Sequence, residues 1–203
     1  MNKTTLTAFV FTVLLLASCG EKRGETKEEE KKTDTASTAE TTPAEIVSSE
    51  PFEYVSEAGR YKINFKSRPD DEETKPVQTA AGNVNMYITM LEQGTMVYMT
   101  AYADFPAEKM PKTKTRELLQ GSKNGIVQKF GAQITDEKWA DFQGNPAVDF
   151  TATGPQFSTA YKLVLAGNRL YQIGILKTGG AVNQHETDSF IGSFEIINNK
   201  PAE

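Results

Sequence analysis

Phe157–Lys177 reads FSTAYKLVLAGNRLYQIGILK. Two runs rich in β-branched and aromatic residues flank Gly167-Asn168, the pattern of a hairpin with a short turn. Successive strand side chains point to opposite faces, so Leu163 and Leu165 share one face with Leu170 and Leu176. Val164 then lines up with Tyr171, Ile173 and Ile175 on the other. Both faces are apolar, and a strand that is apolar on both faces belongs in the middle of a sheet covered on both sides.

Working outward, period-two patterning predominates. Arg60–Lys66 alternates as a half-buried strand does, strands are expected near 134–142 and 147–153 around the turn Gln143-Gly144-Asn145-Pro146, and a last strand at 194–197. Val84–Leu91 and Thr95–Phe105 flank Glu92-Gln93-Gly94, and a loop at Gln93-Gly94 sets Leu91 opposite Met96. In that hairpin Val84, Met86, Ile88 and Met90 join Val97, Met99, Ala101 and Ala103 on a core face. The opposite face carries Tyr87, Tyr98 and Tyr102, and reads either as a second covered face or as a tyrosine-lined groove.

Two segments change period. Pro111–Gly131 places Leu119, Ile126 and Phe130 on one stripe with Lys114, Lys123 and Lys129 elsewhere, and Gly131 stands where a helix cap is wanted. A second helix is expected over 181–193. The predicted fold class is α+β: an antiparallel sheet of about six to eight strands with two main helices packed on it.

The amino-terminal fifty residues are of another kind. An apolar run from Leu6 to Ala17 is too short to span a bilayer permanently but suits the core of a secretory signal. It ends in Leu16-Ala17-Ser18-Cys19, which holds the sole cysteine of the chain. These four positions closely resemble the lipobox of bacterial lipoprotein precursors. The resemblance implies cleavage between Ser18 and Cys19, a diacylglyceryl thioether on the Cys19 sulfur and acylation of the new amino group. Two or more acyl chains hold a protein on a bilayer stably, at about 0.8 kcal/mol per buried methylene. Gly20 rather than Asp follows the cysteine, which in this family points to the outer membrane. Residues 20–50 are Glu-, Lys-, Thr- and Ser-rich and have almost nothing apolar before Ile46, so they read as a stalk with a reach on the order of 30 Å. The expected organisation is thus signal 1–18, lipidated Cys19 and stalk 19–50, and one globular domain 51–203.

The order of elements over about 52–197 also resembles the PsbP-like fold, an α/β/α sandwich. GRYKINFKSRPDD (59–71), GNRLYQIGI (167–175) and SFIGSFEII (189–197) carry that resemblance. It implies a fold and no functional residue.

Chemistry-bearing patterns are sparse. The domain has 16 Lys and Arg against 18 Asp and Glu, a net charge of −2, which argues against nucleic acid as a partner. His185 is the lone histidine, and its sequence neighbours Glu186 and Asp188 do not face it on a helix, so it reads as a helix-surface residue. No G-x-S-x-G, G-x-G-x-x-G or Walker loop occurs, and no cofactor or metal is expected. Asp70-Asp71-Glu72-Glu73 offers clustered carboxylates for calcium but reads more simply as a solvated loop. Met86, Met90, Met96 and Met99 could suit Cu(I), yet three fall on the predicted core face. The expectation is a non-catalytic, membrane-anchored envelope lipoprotein that binds a protein partner. A hydrophobic-ligand carrier using the Tyr87, Tyr98, Tyr102 face comes second, and a hydrolase built from distant carboxylates third.

Overall fold

A computed structural model describes residues 50–79, 82–109 and 115–197. The compact unit to which they belong is Val47–Glu203. Cys19, Ser18 and the stalk up to residue 49 lie outside the described residues, as do 110–114 at the expected start of the first helix.

Among the described residues, ten strands and two α-helices follow in the order β1 (Phe52–Ser56), β2 (Tyr61–Phe65), β3 (Asp71–Thr79), β4 (Gly82–Gln93), β5 (Met96–Asp104), α1 (Thr115–Lys129), β6 (Gln133–Phe142), β7 (Asn145–Thr153), β8 (Phe157–Ala166), β9 (Arg169–Thr178), α2 (Gln184–Phe190) and β10 (Glu195–Ile196). Seven strands form one antiparallel sheet in the order β3-β4-β5-β9-β8-β7-β6. The 157–177 hairpin is at its centre, as its two apolar faces require. Leu165 pairs with Leu170 and Val164 with Tyr171, the faces expected from the sequence.

The fold is α+β and antiparallel, with an added layer that sequence patterning did not separate. Strands β1, β2 and β10 make their own three-stranded sheet. Tyr61, Ile63 and Phe65 of β2 are buried, and they join Leu91, Tyr98, Tyr102, Val164, Tyr171, Ile173 and Ile175 of the large sheet with Phe190 and Ile191 in one core. Against the other face, α1 sets Leu119 on Val148, Phe150, Tyr161, Leu163 and Leu165 in a second core. Each large side chain so buried contributes roughly 1.5–3 kcal/mol relative to exposure.

Three expectations need correction. The β4–β5 turn is Gly94-Thr95 rather than Gln93-Gly94, so Leu91 pairs with Tyr98 and not Met96. Gly94 takes a φ of +61°, a geometry that glycine reaches without a Cβ penalty. The slip is two residues, an even number, and therefore leaves every side chain on its predicted face. The acidic run is no loop either: Asp71 opens β3, an edge strand containing Pro76. Last, the second helix is shorter than 181–193, with α2 ending at Phe190 and one 3-10 turn, Ile191–Ser193, following it.

Candidate binding groove

The tyrosine face is an interior, not a groove. Tyr98 is 1% exposed and Tyr102 7%, and only Tyr87 reaches solvent, at 40%. The small sheet and α2 cover them: the Tyr61 ring lies 6.4 Å from that of Tyr102, and Phe190 meets Tyr98 edge-on at 5.2 Å. Tyr61 Oη and Thr100 Oγ1 share a buried hydrogen bond of 2.8 Å. Tyr98 donates to Glu186 Oε2 at 2.7 Å, while Lys66 donates to Glu186 Oε1 at 2.7 Å, which fastens α2 to β2 and β5. Burial opposes ionisation of Glu186, but those two donors outweigh it and hold its pKa below the ordinary value. The covering side chains come from residues 61–65 and 190–196, distant in sequence from the face they close, so the patterning of β4 and β5 alone could not reveal them.

The other sequence candidates are dispersed. His185 is exposed on the first turn of α2, and the carboxylate beside it in sequence is engaged by Lys66 and Tyr98. Asp70 Oδ2 accepts from the Glu92 amide, Glu72 accepts from Tyr54, and Glu73 pairs with Lys75, so the acidic run is spent on separate partners. Among the described residues no group of three or more His, Cys, Asp or Glu converges as a metal site. Met90 and Met99 are cross-strand partners, but Met86 is four residues further along β4, on the order of 13 Å away. The Met99 sulfur accepts from Tyr161 Oη at 3.2 Å, and Met96 faces the opposite side, where its sulfur lies 3.4 Å from Tyr98 Oη, whose proton goes to Glu186.

A different constellation is assembled by α1 and β6. Helix α1 carries Glu117 in its first turn and Lys129 in its last, charges that suit the two ends of the helix dipole. Gly131, at φ +57°, closes it as the left-handed cap. Lys123 stands four residues after Leu119 and three before Ile126, hence on their stripe rather than away from it, and is 2% exposed. Its ammonium reaches over the sheet to the carboxylate of Glu137 on β6. The indole N–H of Trp139 donates to the other oxygen of that carboxylate. The hydrogen bond from Lys123 is the chief reason the Glu137 pKa lies below the usual glutamate value; burial works against it, and Trp139 and Arg116 assist.

With its N–H so fixed, the Trp139 ring presents a face to α1, and the Arg116 guanidinium lies 4.1 Å from the ring centroid. Such a contact contributes about 0.5–2 kcal/mol, depending on solvent exposure. Between the first turn of α1 and the β6–β7 hairpin is an open groove of about 480 Å³, lined by Arg116, Leu119, Trp139, Asp141, Pro146 and Ala147 among others. Its lining is mixed, with accessible apolar surface from Trp139 and Pro146, and its rim offers one guanidinium and one carboxylate. These side chains suit recognition of an amphipathic segment: apolar surface gives affinity and two opposite charges set orientation.

Sequence reasoning passed over this group. Trp139 is the only tryptophan of the chain, and Glu137, Trp139 and Asp141 alternate on one side of a predicted strand. Arg116 and Lys123 are seven residues apart on a predicted helix, hence close to one face. Those were signals, but only packing could bring the two elements together.

No protein-family model matches the sequence, and no curated protein matches it. Among solved structures, the solution structure of cyanobacterial PsbP (CyanoP) from Synechocystis is similar over 76% of this chain and 97% of that one. The two share 11% sequence identity, with a TM-score of 0.44. A likeness of that extent says nothing about activity, ligand or partner.

Proposed function

We propose that the chain is an exported accessory protein of the bacterial envelope, held on a membrane by acylated Cys19, whose non-catalytic domain binds another protein through the groove between α1 and β6. The carrying observation is the pairing of Trp139 and Arg116 in an open groove beside an edge strand of the sheet. Tryptophan and arginine are the residue types most enriched among those that dominate binding energy at protein interfaces. The anchor rests on Leu16-Ala17-Ser18-Cys19 and the polar stretch behind it, and Gly20 favours sorting to the outer membrane. Tethering raises the effective concentration of any partner on the same membrane, so a modest groove suffices for occupancy.

The test has two arms. Mass spectrometry of the mature protein should find a diacylated or triacylated Cys19 at the amino terminus, and Cys19→Ala should move the protein out of the membrane fraction. A photo-cross-linker at exposed Lys138 should capture one stoichiometric envelope protein from native membranes, and Trp139→Ala should abolish that product. An unmodified Cys19 removes the anchor. Failure to capture a partner from any surface position of the domain removes the protein-binding reading.

A further inference from the structure

The two edges of the large sheet are built differently. Strand β3 opens with Asp71, Glu72 and Glu73 and contains Pro76, devices that discourage another strand from pairing. Strand β6 also carries charges, Asp136, Glu137, Lys138 and Asp141, but it contains no proline, and among the described residues it pairs with β7 alone. Its register shifts between Ile134 and Asp136, after which 136–142 runs regularly against 145–151. The backbone groups of alternate residues of 136–142 that turn away from β7 thus have no partner strand among the described residues, and they lie beside the groove that Trp139 and Arg116 line.

The charges on this edge are not equally satisfied. Glu137 is engaged by Lys123 and Trp139, whereas Lys138 lies in register with Asp149, whose ion pair is made with Lys162 instead. Arg116 is exposed on α1 and rests on the indole face; its charge acts on Glu137 at longer range, but among the described residues no carboxylate lies within ion-pair distance of it. An occupant that brings a carboxylate to Arg116 gains a charge-assisted hydrogen bond, whereas one that brings a carboxylate to Asp141 meets repulsion. The edge therefore selects by charge and position.

We infer that the groove is a β-augmentation site: an extended peptide segment of the partner protein adds as an eighth strand outside β6, seats one large apolar side chain against Trp139, and presents an acidic side chain to Arg116. This inference rests on the protein-binding reading and specifies its mode. Main-chain pairing supplies affinity, and the alternate side chains that fall on the α1 side supply selectivity. The Lys123–Glu137 pair serves as the positioning element, since it fixes the indole that forms the wall.

The probe is a set of synthetic peptides of about seven residues, matching the regular part of β6. Alternating Val and Thr form the background, with one Phe and, two positions away on the same face, one Glu. A control set carries Lys in place of Glu. Binding to the full-length protein in detergent is read by fluorescence polarisation, and amide hydrogen exchange locates the contact. The Glu peptides should bind at least about tenfold more tightly than the Lys peptides, an energy difference of about 1.4 kcal/mol. Arg116→Glu should reverse that preference, and Trp139→Ala should weaken both sets. Slowed exchange should fall on 136–142 and not on 71–79. Protection of β3, an unchanged preference in Arg116→Glu, or no binding by any peptide overturns the augmentation site. If the Lys138 cross-link to a membrane partner survives such a result, the protein-binding function stands and only its mode is wrong; if the cross-link fails as well, both fall.

Discussion

A buried ammonium beside a part-exposed carboxylate makes Lys123 and Glu137 unequal partners. The Lys123 side chain is 3% exposed and that of Glu137 28%. Removing the lysine frees a carboxylate that water can reach; removing the glutamate strands a charge in the interior. Lys123→Met should therefore be nearly neutral or stabilising, whereas Glu137→Leu should cost about 3–5 kcal/mol, as read from urea unfolding. The pH dependence follows from the lowered Glu137 pKa. A depressed folded-state value means that the contribution is complete above the unfolded value, near the ordinary glutamate value of 4.5, and is lost as pH falls through the folded value. Glu137→Gln should accordingly flatten the acid limb of the stability curve below that value and change little at neutral pH beyond a constant offset. At this scale the sequence was only partly legible. A lysine on an apolar stripe reads as solvent-facing until an acceptor is found for it, and the acceptor here belongs to another element.

Between elements, the β8–β9 pair shows how far side-chain volume constrains a central sheet. Tyr161 stands opposite Gly174, stacks on Phe150 with ring centroids 5.5 Å apart and is 3% exposed. Burial alone drives its phenol pKa upward, well above the ordinary value. The ring occupies the space that a side chain at 174 would fill, since a Cβ there would lie 2.3 Å from Tyr161 Cε1. Gly174→Ala should destabilise by about 1–3 kcal/mol, visible as a lowered thermal midpoint; Gly174→Ala in a Tyr161→Ala background should cost much less, because the clash is gone. A full cost in both backgrounds would refute this account. The hairpin itself was legible, because turn glycines and apolar alternation are local. Strand β3 was not, because DEETKPVQT has no apolar alternation and is a strand only through pairing with β4.

For the molecule as a whole, Val47–Glu203 is a compact unit, and within it the Arg169 side chain ties the layers together. Its Nε and Nη2 donate to Asp104 at 2.6 Å each, and its Nη1 donates to the Ala58 carbonyl at 2.8 Å, which connects β5 and β9 to the β1–β2 turn. A chain beginning at Val47 should unfold in one cooperative transition, with calorimetric and van't Hoff enthalpies equal, and Arg169→Ala should lower its midpoint by about 2–4 °C for each 1 kcal/mol lost. By itself the sequence determined what depends on near neighbours: the antiparallel α+β class, the central hairpin, the faces of its strands, the first helix and its glycine cap, and the expectation of a lipid anchor at Cys19. Tertiary structure alone decided that β1, β2 and β10 form a separate covering sheet, that Tyr98 and Tyr102 lie beneath it, and that Arg116, Lys123, Glu137 and Trp139 converge. The reason is physical. Alternation specifies which side chains share a face, but burial of that face depends on surface brought from elsewhere in the chain, and a strand like β10, with two residues, has no period from which to be read.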